Sequence, residues 1–159
     1  MPKFNITRDA GYSPEQLMAI AADVGSYHKF LPLVVGSRML DMKKNSSGTK
    51  TFKGEIHIRY KRLKIDQKFM SDVVVDEKNH TIVSRSSEGI FEHLTSTWSF
   101  ARLPEGGTRI TYDVEYKAKS RAVGFLISGM FDMATRKLLN AFEARASELY
   151  GPPKLSRSA

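Results

Sequence analysis

Apolar and polar residues alternate in run after run from about Val34 to Ala118. Since successive side chains of a strand point to opposite faces, this period of two indicates strands with one covered face and one wet face. Turn-forming residues separate the runs, so successive hairpins predict an antiparallel sheet. In the run with the cleanest alternation, one face would carry Phe52, Gly54, Ile56, Ile58 and Tyr60, and the other Lys53, Glu55, His57 and Arg59.

The limits of these strands follow from turn signals at 45–48, 76–80 and 104–107, which are rich in Asn, Asp, Gly and Pro. The predicted strands cover about 35–44 and 52–60, then a strand from 63 up to the turn at 76–80, and then 81–87, 94–103 and 109–118.

A further strand and a helix are predicted before this region. Residues 3–10 alternate and suit a first strand. Ser13 and Gln16 form the capping box of a helix that we expect to run to about Val24. Residues 26–31 fit one further short helical turn before the chain becomes extended.

The last element is a long amphipathic helix over about 120–150, and it alone is long enough to cover the apolar face of the sheet. Gly124 and Gly129 each cost about 1 kcal/mol relative to Ala in a helix, so we expect a kink or mobility there. The fold class is therefore α+β, a curved antiparallel sheet of about seven strands around this helix. The predicted inward face carries Val123, Ile127, Met130, Phe131, Ala134, Leu138, Phe142 and Leu149.

Length and composition predict one soluble domain over 1–151, with 152–159 as a disordered tail. No apolar run approaches the roughly 18 to 20 residues of a membrane span, and the start of the chain lacks the pattern of a signal or transit peptide. We therefore expect a bacterial cytoplasmic protein. The net charge of +8 suits a polyanionic partner, either anionic lipid or RNA, although it is equally explained by solubility.

Signals for catalysis or metal binding are weak. The chain has no cysteine, and its four histidines, His28, His57, His80 and His93, are scattered without the spacing of a metal site. The motifs GxSxG, GxGxxG and the P-loop are absent from the sequence. We expect no catalytic residues, no metal and no enzymatic activity.

An apolar ligand cavity is the more informative expectation. One helix cannot fill a strongly curved sheet completely, and such gaps commonly become cavities, although each bulky residue could equally be solid core. Four residues in register with the apolar faces could supply polar groups to such a cavity: Gln67, Ser96, Tyr112 and Tyr116.

Residues 50–68 form a basic stretch, and many of its basic side chains lie on the strand face opposite the apolar one. Three interpretations stay open: a solvated surface, an anionic-membrane docking face, or an RNA-binding face; the lack of interleaved aromatic residues favours membrane slightly over RNA. No DNA partner is expected. The basic residues are Lys50, Lys53, Arg59, Lys61, Arg62, Lys64 and Lys68.

Three segments in order resemble one known family. ADVGSYHKFLPLV at 22–34, the Gly-x-Phe, Leu and Trp-x-Phe residues at 89–100, and AFEARA with LYG at 141–151 are similar to motifs of the coenzyme Q-binding, START-like family. That family includes bacterial ribosome association toxins and belongs to the polyketide cyclase/dehydrase and lipid transport superfamily. The sequence departs from its pattern at His28, Leu33-Val34 and Ile90, which lie at the expected pocket rim.

The resemblance implies a helix-grip fold and a non-enzymatic lipid-binding protein that holds an isoprenoid quinone such as ubiquinone, as ligand rather than cofactor, for respiratory electron transport. It implies two alternatives, a toxin that binds the large ribosomal subunit and blocks subunit joining, and a polyketide aromatase/cyclase. Peripheral contact with an anionic inner membrane fits the quinone role. The expected cavity residues are Tyr27, Phe30, Leu31, Pro32, Ile56, Ile58, Phe69, Trp98, Tyr112, Phe131 and Leu138.

The connector at 22–34 is unusually apolar for a segment between two regular elements. Within a helix-grip fold, Tyr27, Phe30, Leu31 and Leu33 would cap the cavity, with Pro32 setting the angle of entry into the sheet. The alternative is that they plug the end of the core.

Overall fold

The computed structural model describes residues 3–153, so the predicted tail lies outside the described residues from position 154 onward. The elements in chain order are β1 (Lys3–Ala10), α1 (Pro14–Ala22), a 3-10 helix (Val24–Lys29), β2 (Val34–Lys44), β3 (Thr49–Tyr60), a 3-10 turn (Lys61–Leu63), β4 (Ile65–Asp76), β5 (Thr81–Ser86), β6 (Phe91–Arg102), β7 (Thr108–Ala118) and α2 (Arg121–Tyr150).

The strands form a single seven-stranded sheet in the order β1-β7-β6-β5-β4-β3-β2, and every neighbouring pair is antiparallel. Strands β2 to β7 follow one another as hairpins, which confirms the predicted meander. β1 and β2 are consecutive in sequence but lie at opposite edges, so the segment from α1 to the 3-10 helix crosses from one edge to the other. The sheet curves around α2, as the alternation and the single long helix predict.

The start of α1 confirms the predicted capping box. The Ser13 hydroxyl accepts a hydrogen bond from the Gln16 backbone N–H at 3.1 Å, and the Gln16 side chain accepts one from the Ser13 backbone at 3.0 Å. These two bonds satisfy N–H groups that a helix start leaves unpaired. The helix ends at Ala22, two residues before the predicted limit of Val24, and the 3-10 helix provides the predicted further turn.

α2 is one continuous helix through both of its glycines, capped by Ser120, whose hydroxyl accepts from the Val123 N–H. The predicted inward face is partly wrong. The residues of α2 that are buried are Thr135, Leu139, Phe142 and Ala146. Of the predicted set, Ala134 and Leu149 are exposed and Leu138 is half-buried. The physical reason is that the helix is rotated so that Leu139 lies at the centre of the buried stripe, while its neighbour Leu138 lies at the edge and packs against the larger cluster.

The buried apolar residues form two clusters. The larger joins α1, the 3-10 helix and the second half of α2 to the middle of the sheet, through Trp98, Phe100 and Phe142 among others. The smaller consists of Phe69, Phe91, Val114 and Tyr116. It lies toward the end of the sheet where β6 begins, β7 ends and α2 starts.

Candidate functional site

A band of half-buried apolar side chains lies where the two clusters meet. Ile56, Tyr112 and Leu138 pack against the larger cluster, and Ile58, Tyr112 and Phe131 against the smaller one. None of the α2 residues 121–134 is buried, although Ile127 and Phe131 pack against the smaller cluster; the buried side chains of the helix all lie in its second half. We call the band Ile56, Ile58, Tyr112, Phe131 and Leu138 the apolar seam.

Aromatic rings line the apolar seam on its inner side. Trp98 lies 4.5 Å from the Tyr112 ring and 4.8 Å from the Phe142 ring between centroids. Phe131 stacks on Tyr116 at 5.0 Å and on Phe4 at 5.3 Å. Two further predicted cavity residues, Trp98 and Phe69, are buried in the clusters. The structure therefore brings all seven predicted sheet and helix residues to one side of the sheet.

Polar groups are few in this region, and the hydroxyls of Tyr112 and Tyr116 both have side-chain partners. The Tyr112 hydroxyl lies in the interior, where burial raises its pKa to about 12, and a hydrogen bond with Ser96 acts in the opposite direction. The Tyr116 hydroxyl pairs with the Ser128 hydroxyl at 2.7 Å. Gln67 lies beside Gly89. No buried side-chain nitrogen or oxygen in residues 3–153 lacks a hydrogen-bond partner, so the region is an apolar environment with a few fixed hydroxyls.

The apolar connector divides into an inner and an outer part. Tyr27 and Leu31 are buried in the larger cluster, and half-buried Phe30 packs edge-to-face on Tyr27 and on Phe142 at 5.4 Å from the latter ring. Pro32 is exposed, and Leu33 is 44% exposed. The expectation that Leu33 caps the interior is wrong, because a positive φ of 71° at Leu33 accompanies the turn into β2 and the side chain faces solvent.

Two open grooves lie elsewhere on the molecule. A groove of about 560 Å³ lies between α1 and the strands β2 to β4; Met18, Met39 and Phe52 are among its apolar lining residues. At its rim His80 contacts Glu15, and Lys50 forms an ion pair with Glu77. A groove of about 190 Å³ lies between α1 and the end of α2 and includes Phe30. Sequence reasoning missed the larger groove, and no seam residue lines either one.

The predicted basic face is not uniform. Three of its residues are paired with carboxylates: Lys50 with Glu77, Lys53 with Asp72, and Arg59 with Asp66. Hydrogen bonds from His57 and Arg59 hold the Asp66 pKa below its usual range, the His57 bond contributing most. The unpaired members within the described residues are Lys61, Arg62, Lys64 and Lys68, all exposed. Three of these form the tip of the β3–β4 hairpin.

The histidines stay far from any common centre. His57 pairs with Asp66, His80 with Glu15, and the His28 ring with the Ser37 hydroxyl at 2.9 Å. Over residues 3–153, no group of three or more His, Asp or Glu side chains is placed to hold a metal ion. No helix in this part of the chain has the length and hydropathy needed to cross a bilayer.

This fold and its apolar interior agree with a family model that matches residues 10–143, described as polyketide cyclase/dehydrase and lipid transport. The chain belongs to this family. The match includes the connector, the whole meander and most of α2, so the resemblance seen in three sequence segments is confirmed over nearly the entire domain.

Two relatives in this lipid transport family carry different roles. The ribosome association toxin RatA of Rickettsia prowazekii is 31% identical over 153 residues, covering 94% of this chain and 99% of the toxin. The mitochondrial coenzyme Q-binding protein COQ10 of Dictyostelium discoideum is 26% identical over 147 residues, covering 92% of this chain and 69% of that protein.

The solved structures agree on the fold of the family. A START superfamily protein from Mycobacterium smegmatis superposes with a TM-score of 0.77 at 17% identity, covering 92% of this chain and 98% of that protein. This likeness shows the START-like helix-grip fold and nothing about ligand.

Proposed function

We propose that this protein binds an isoprenoid quinone, such as ubiquinone, along the apolar seam and supports its use in respiratory electron transport. The observation that carries the proposal is the apolar seam itself: side chains of β3, β7 and α2 stay half-buried where the two clusters meet, and no residue of 121–134 is buried. Relatedness to the coenzyme Q-binding protein COQ10 supports the choice of a quinone.

Burial of an isoprenoid tail supplies the binding free energy. Each square ångström of apolar surface removed from water contributes about 25 cal/mol, so a few hundred square ångströms offset the cost of association. The hydroxyls of Tyr112 and Tyr116 are the groups able to hydrogen-bond a quinone oxygen, if their bonds to Ser96 and Ser128 are shared or exchanged. No proton transfer or covalent step is required.

Organic extraction of the purified protein followed by mass spectrometry tests the proposal. We expect a quinone in the extract, or binding of added ubiquinone to the extracted protein. Ile58→Gln places an amide in the apolar seam and should weaken binding at least about tenfold. Val35→Gln is the matched control, because Val35 is 49% exposed on β2. Absence of quinone from the extract together with no binding on addition contradicts the proposal.

A second candidate function is association with the large ribosomal subunit. It is favoured by the identity to the toxin RatA over nearly its full length and by the unpaired basic tip of the β3–β4 hairpin. Sucrose-gradient sedimentation at low salt distinguishes it. Comigration with the large subunit that is lost in Lys61→Glu/Arg62→Glu supports this role, and absence of comigration removes it.

Catalysis is the third candidate, because the family includes polyketide cyclases. We propose a non-enzymatic protein, since the described histidines and carboxylates do not converge near the apolar seam. Turnover of an aromatic polyketide precursor would reverse this ranking.

A further inference from the structure

The first half of α2 carries an apolar surface that the fold does not cover. Phe125 is 84% exposed, and Leu126 and Met133 are more than half exposed. These residues share a helix face with Ala122 and Gly129, both also exposed. We call Ala122, Phe125, Leu126, Gly129 and Met133 the α2 patch.

We propose that the α2 patch docks this protein on an anionic lipid bilayer, with Phe125 and Leu126 inserted among the acyl chains and the surrounding lysines and arginines on the headgroups. The inference goes beyond quinone binding and does not depend on it, because the α2 patch faces outward from the apolar seam. The membrane contact would then be one end of the molecule, and not the basic strand face that the sequence suggested.

The sequence of α2 supports an interfacial role for this half of the helix. Between Arg121 and Asp132 no residue is charged. Exposed apolar surface of this kind is unfavourable in water and marks an interaction site when it is contiguous. The stretch is too short to span a bilayer, so the helix would lie in the plane of the headgroups with one face buried.

The basic residues needed for such docking lie at the same end of the sheet. β3 ends and β4 begins at the 3-10 turn Lys61–Leu63, and the register of β6 with β7 pairs Phe91 with Ala118, just before α2 starts. The β5–β6 loop lies between the two: Gly89 borders Phe69 of β4, and the Ile90 carbonyl accepts a hydrogen bond from the Lys119 N–H at 2.9 Å. The hairpin tip, this loop and the start of α2 thus form one end of the protein.

Charge at this end is predominantly positive. Five exposed basic residues at the hairpin tip and the start of α2 form no ion pair in the described chain: Lys61, Arg62, Lys64, Lys119 and Arg121. Glu88 is an exposed carboxylate there, and it accepts a hydrogen bond from the Met70 backbone N–H at 3.1 Å. Glu92 is paired with Lys117. An anionic surface therefore complements this end of the molecule.

The combination of apolar and basic residues selects a bilayer over other occupants. A second copy of the chain would bring five unpaired cations against five, which disfavours self-association through this end. RNA would use the cations and has one aromatic ring, Phe125, on which a base can stack, but it would leave the aliphatic Leu126 and Met133 exposed to water. A bilayer with anionic headgroups satisfies the cations and buries the apolar side chains together.

Cosedimentation of ligand-free protein with phosphatidylcholine vesicles, with and without phosphatidylglycerol, tests the proposal. We expect binding to the anionic vesicles that weakens as salt rises. Phe125→Ser/Leu126→Ser should reduce the partition coefficient at least about tenfold while leaving the melting temperature unchanged. Leu149→Ser is the matched control, because Leu149 is 50% exposed near the other end of the same helix.

Insertion is tested separately from adsorption. Lipids brominated on their acyl chains should quench the fluorescence of the new tryptophan in Phe125→Trp but not that in Leu149→Trp. In both variants the buried Trp98 contributes the same background fluorescence. Two vesicle results overturn the proposal: no binding to anionic vesicles, or a loss of binding in Leu149→Ser equal to that in Phe125→Ser/Leu126→Ser. It is also overturned if binding depends on the cations but not on Phe125 and Leu126, which is the behaviour expected of an RNA-binding surface. Self-association through the α2 patch would overturn it as well. Because no quinone is present, failure here leaves quinone binding untouched.

Discussion

The hydroxyl of Tyr116 on β7 lies 2.7 Å from the hydroxyl of Ser128 on α2. This hydrogen bond ties the sheet to the half of the helix that contains no buried side chain among its described residues. Where packing is sparse, a single hydrogen bond has more influence on position than in a dense core. The pair therefore helps to set how far the first half of α2 stands from β7.

Ser128→Ala and Tyr116→Phe should each lower the free energy of unfolding by about 1 kcal/mol, because each removes the same hydrogen bond. The double variant should cost little more than either single variant, which a double-mutant cycle in urea would show. Ser147→Ala, at an exposed position of α2, is the control and should be neutral. Fully additive losses would mean that the two hydroxyls act independently.

Gly89 and Gly129 should respond to alanine in opposite directions. Gly89 has a φ of 65°, and an added Cβ would lie 2.9 Å from the Phe69 ring. We expect Gly89→Ala to destabilise by about 2 kcal/mol or more, from backbone strain and this clash. Gly129 lies in the helix with no atom near an added Cβ, so Gly129→Ala should stabilise by about 1 kcal/mol. Thermal unfolding of both variants checks the pair, and equal signs would contradict it.

Tyr112 should make stability fall at alkaline pH. Its folded pKa is raised to about 12, above the unfolded value near 10, so the folded state holds the proton more tightly. Stability is fully present below pH 10 and is lost as pH rises toward 12, by up to about 2–3 kcal/mol.

Urea unfolding of the wild type and of Tyr112→Phe between pH 9 and about 11.5 measures this loss. The variant removes the titrating hydroxyl, so the free energy of unfolding of the wild type should fall relative to that of the variant as pH rises. Parallel pH profiles would show that Tyr112 titrates normally in the folded state.

The connector should behave as a plug of the core. Leu31→Ser exposes a cavity in the larger cluster and should cost about 2–4 kcal/mol, which lowers the melting temperature by roughly 5–15 °C in a domain of this size. Phe30→Ser should cost less, because Phe30 is only half-buried. Leu33→Ser, at the exposed position of the same segment, should change little.

The same variants distinguish a plug from a lid over a ligand. A Leu31→Ser protein that melts normally yet no longer binds quinone would identify the connector as a lid. Loss of stability in step with loss of binding supports the plug.

Much of this fold could be predicted because its signals are local. The alternation about Phe52 and the capping box of Ser13 and Gln16 involve neighbours in sequence, and both are confirmed. The inward face of α2 could not be resolved in the same way, because Leu138 and Leu139 are adjacent and only the crossing of helix and sheet decides which one is buried.

The candidate site was less accessible to sequence reasoning because it depends on tertiary pairings. Lys53 is not free to bind an anionic partner, because it forms an ion pair with Asp72, the residue opposite it in the β3–β4 register. The α2 patch was likewise missed, since an apolar run in an amphipathic helix indicates a buried face until the structure shows what covers it. Phe125 lies outside the predicted inward stripe of α2, so the sequence pattern does not indicate a function for it.

Because of the sheet order, β1 is synthesised long before the strand with which it pairs. β1 pairs only with β7 among the described strands, and the contact between the side chains of Asn5 and Asp113 joins positions 108 residues apart. At a translation rate of about 5–20 residues per second, the ribosome needs roughly 5–20 s to make the partner of a strand it has already released. During that interval the meander can assemble hairpin by hairpin while β1 remains an unpaired edge-forming segment. We therefore expect β1 to be the segment of the nascent chain that mispairs most readily and that benefits most from a chaperone.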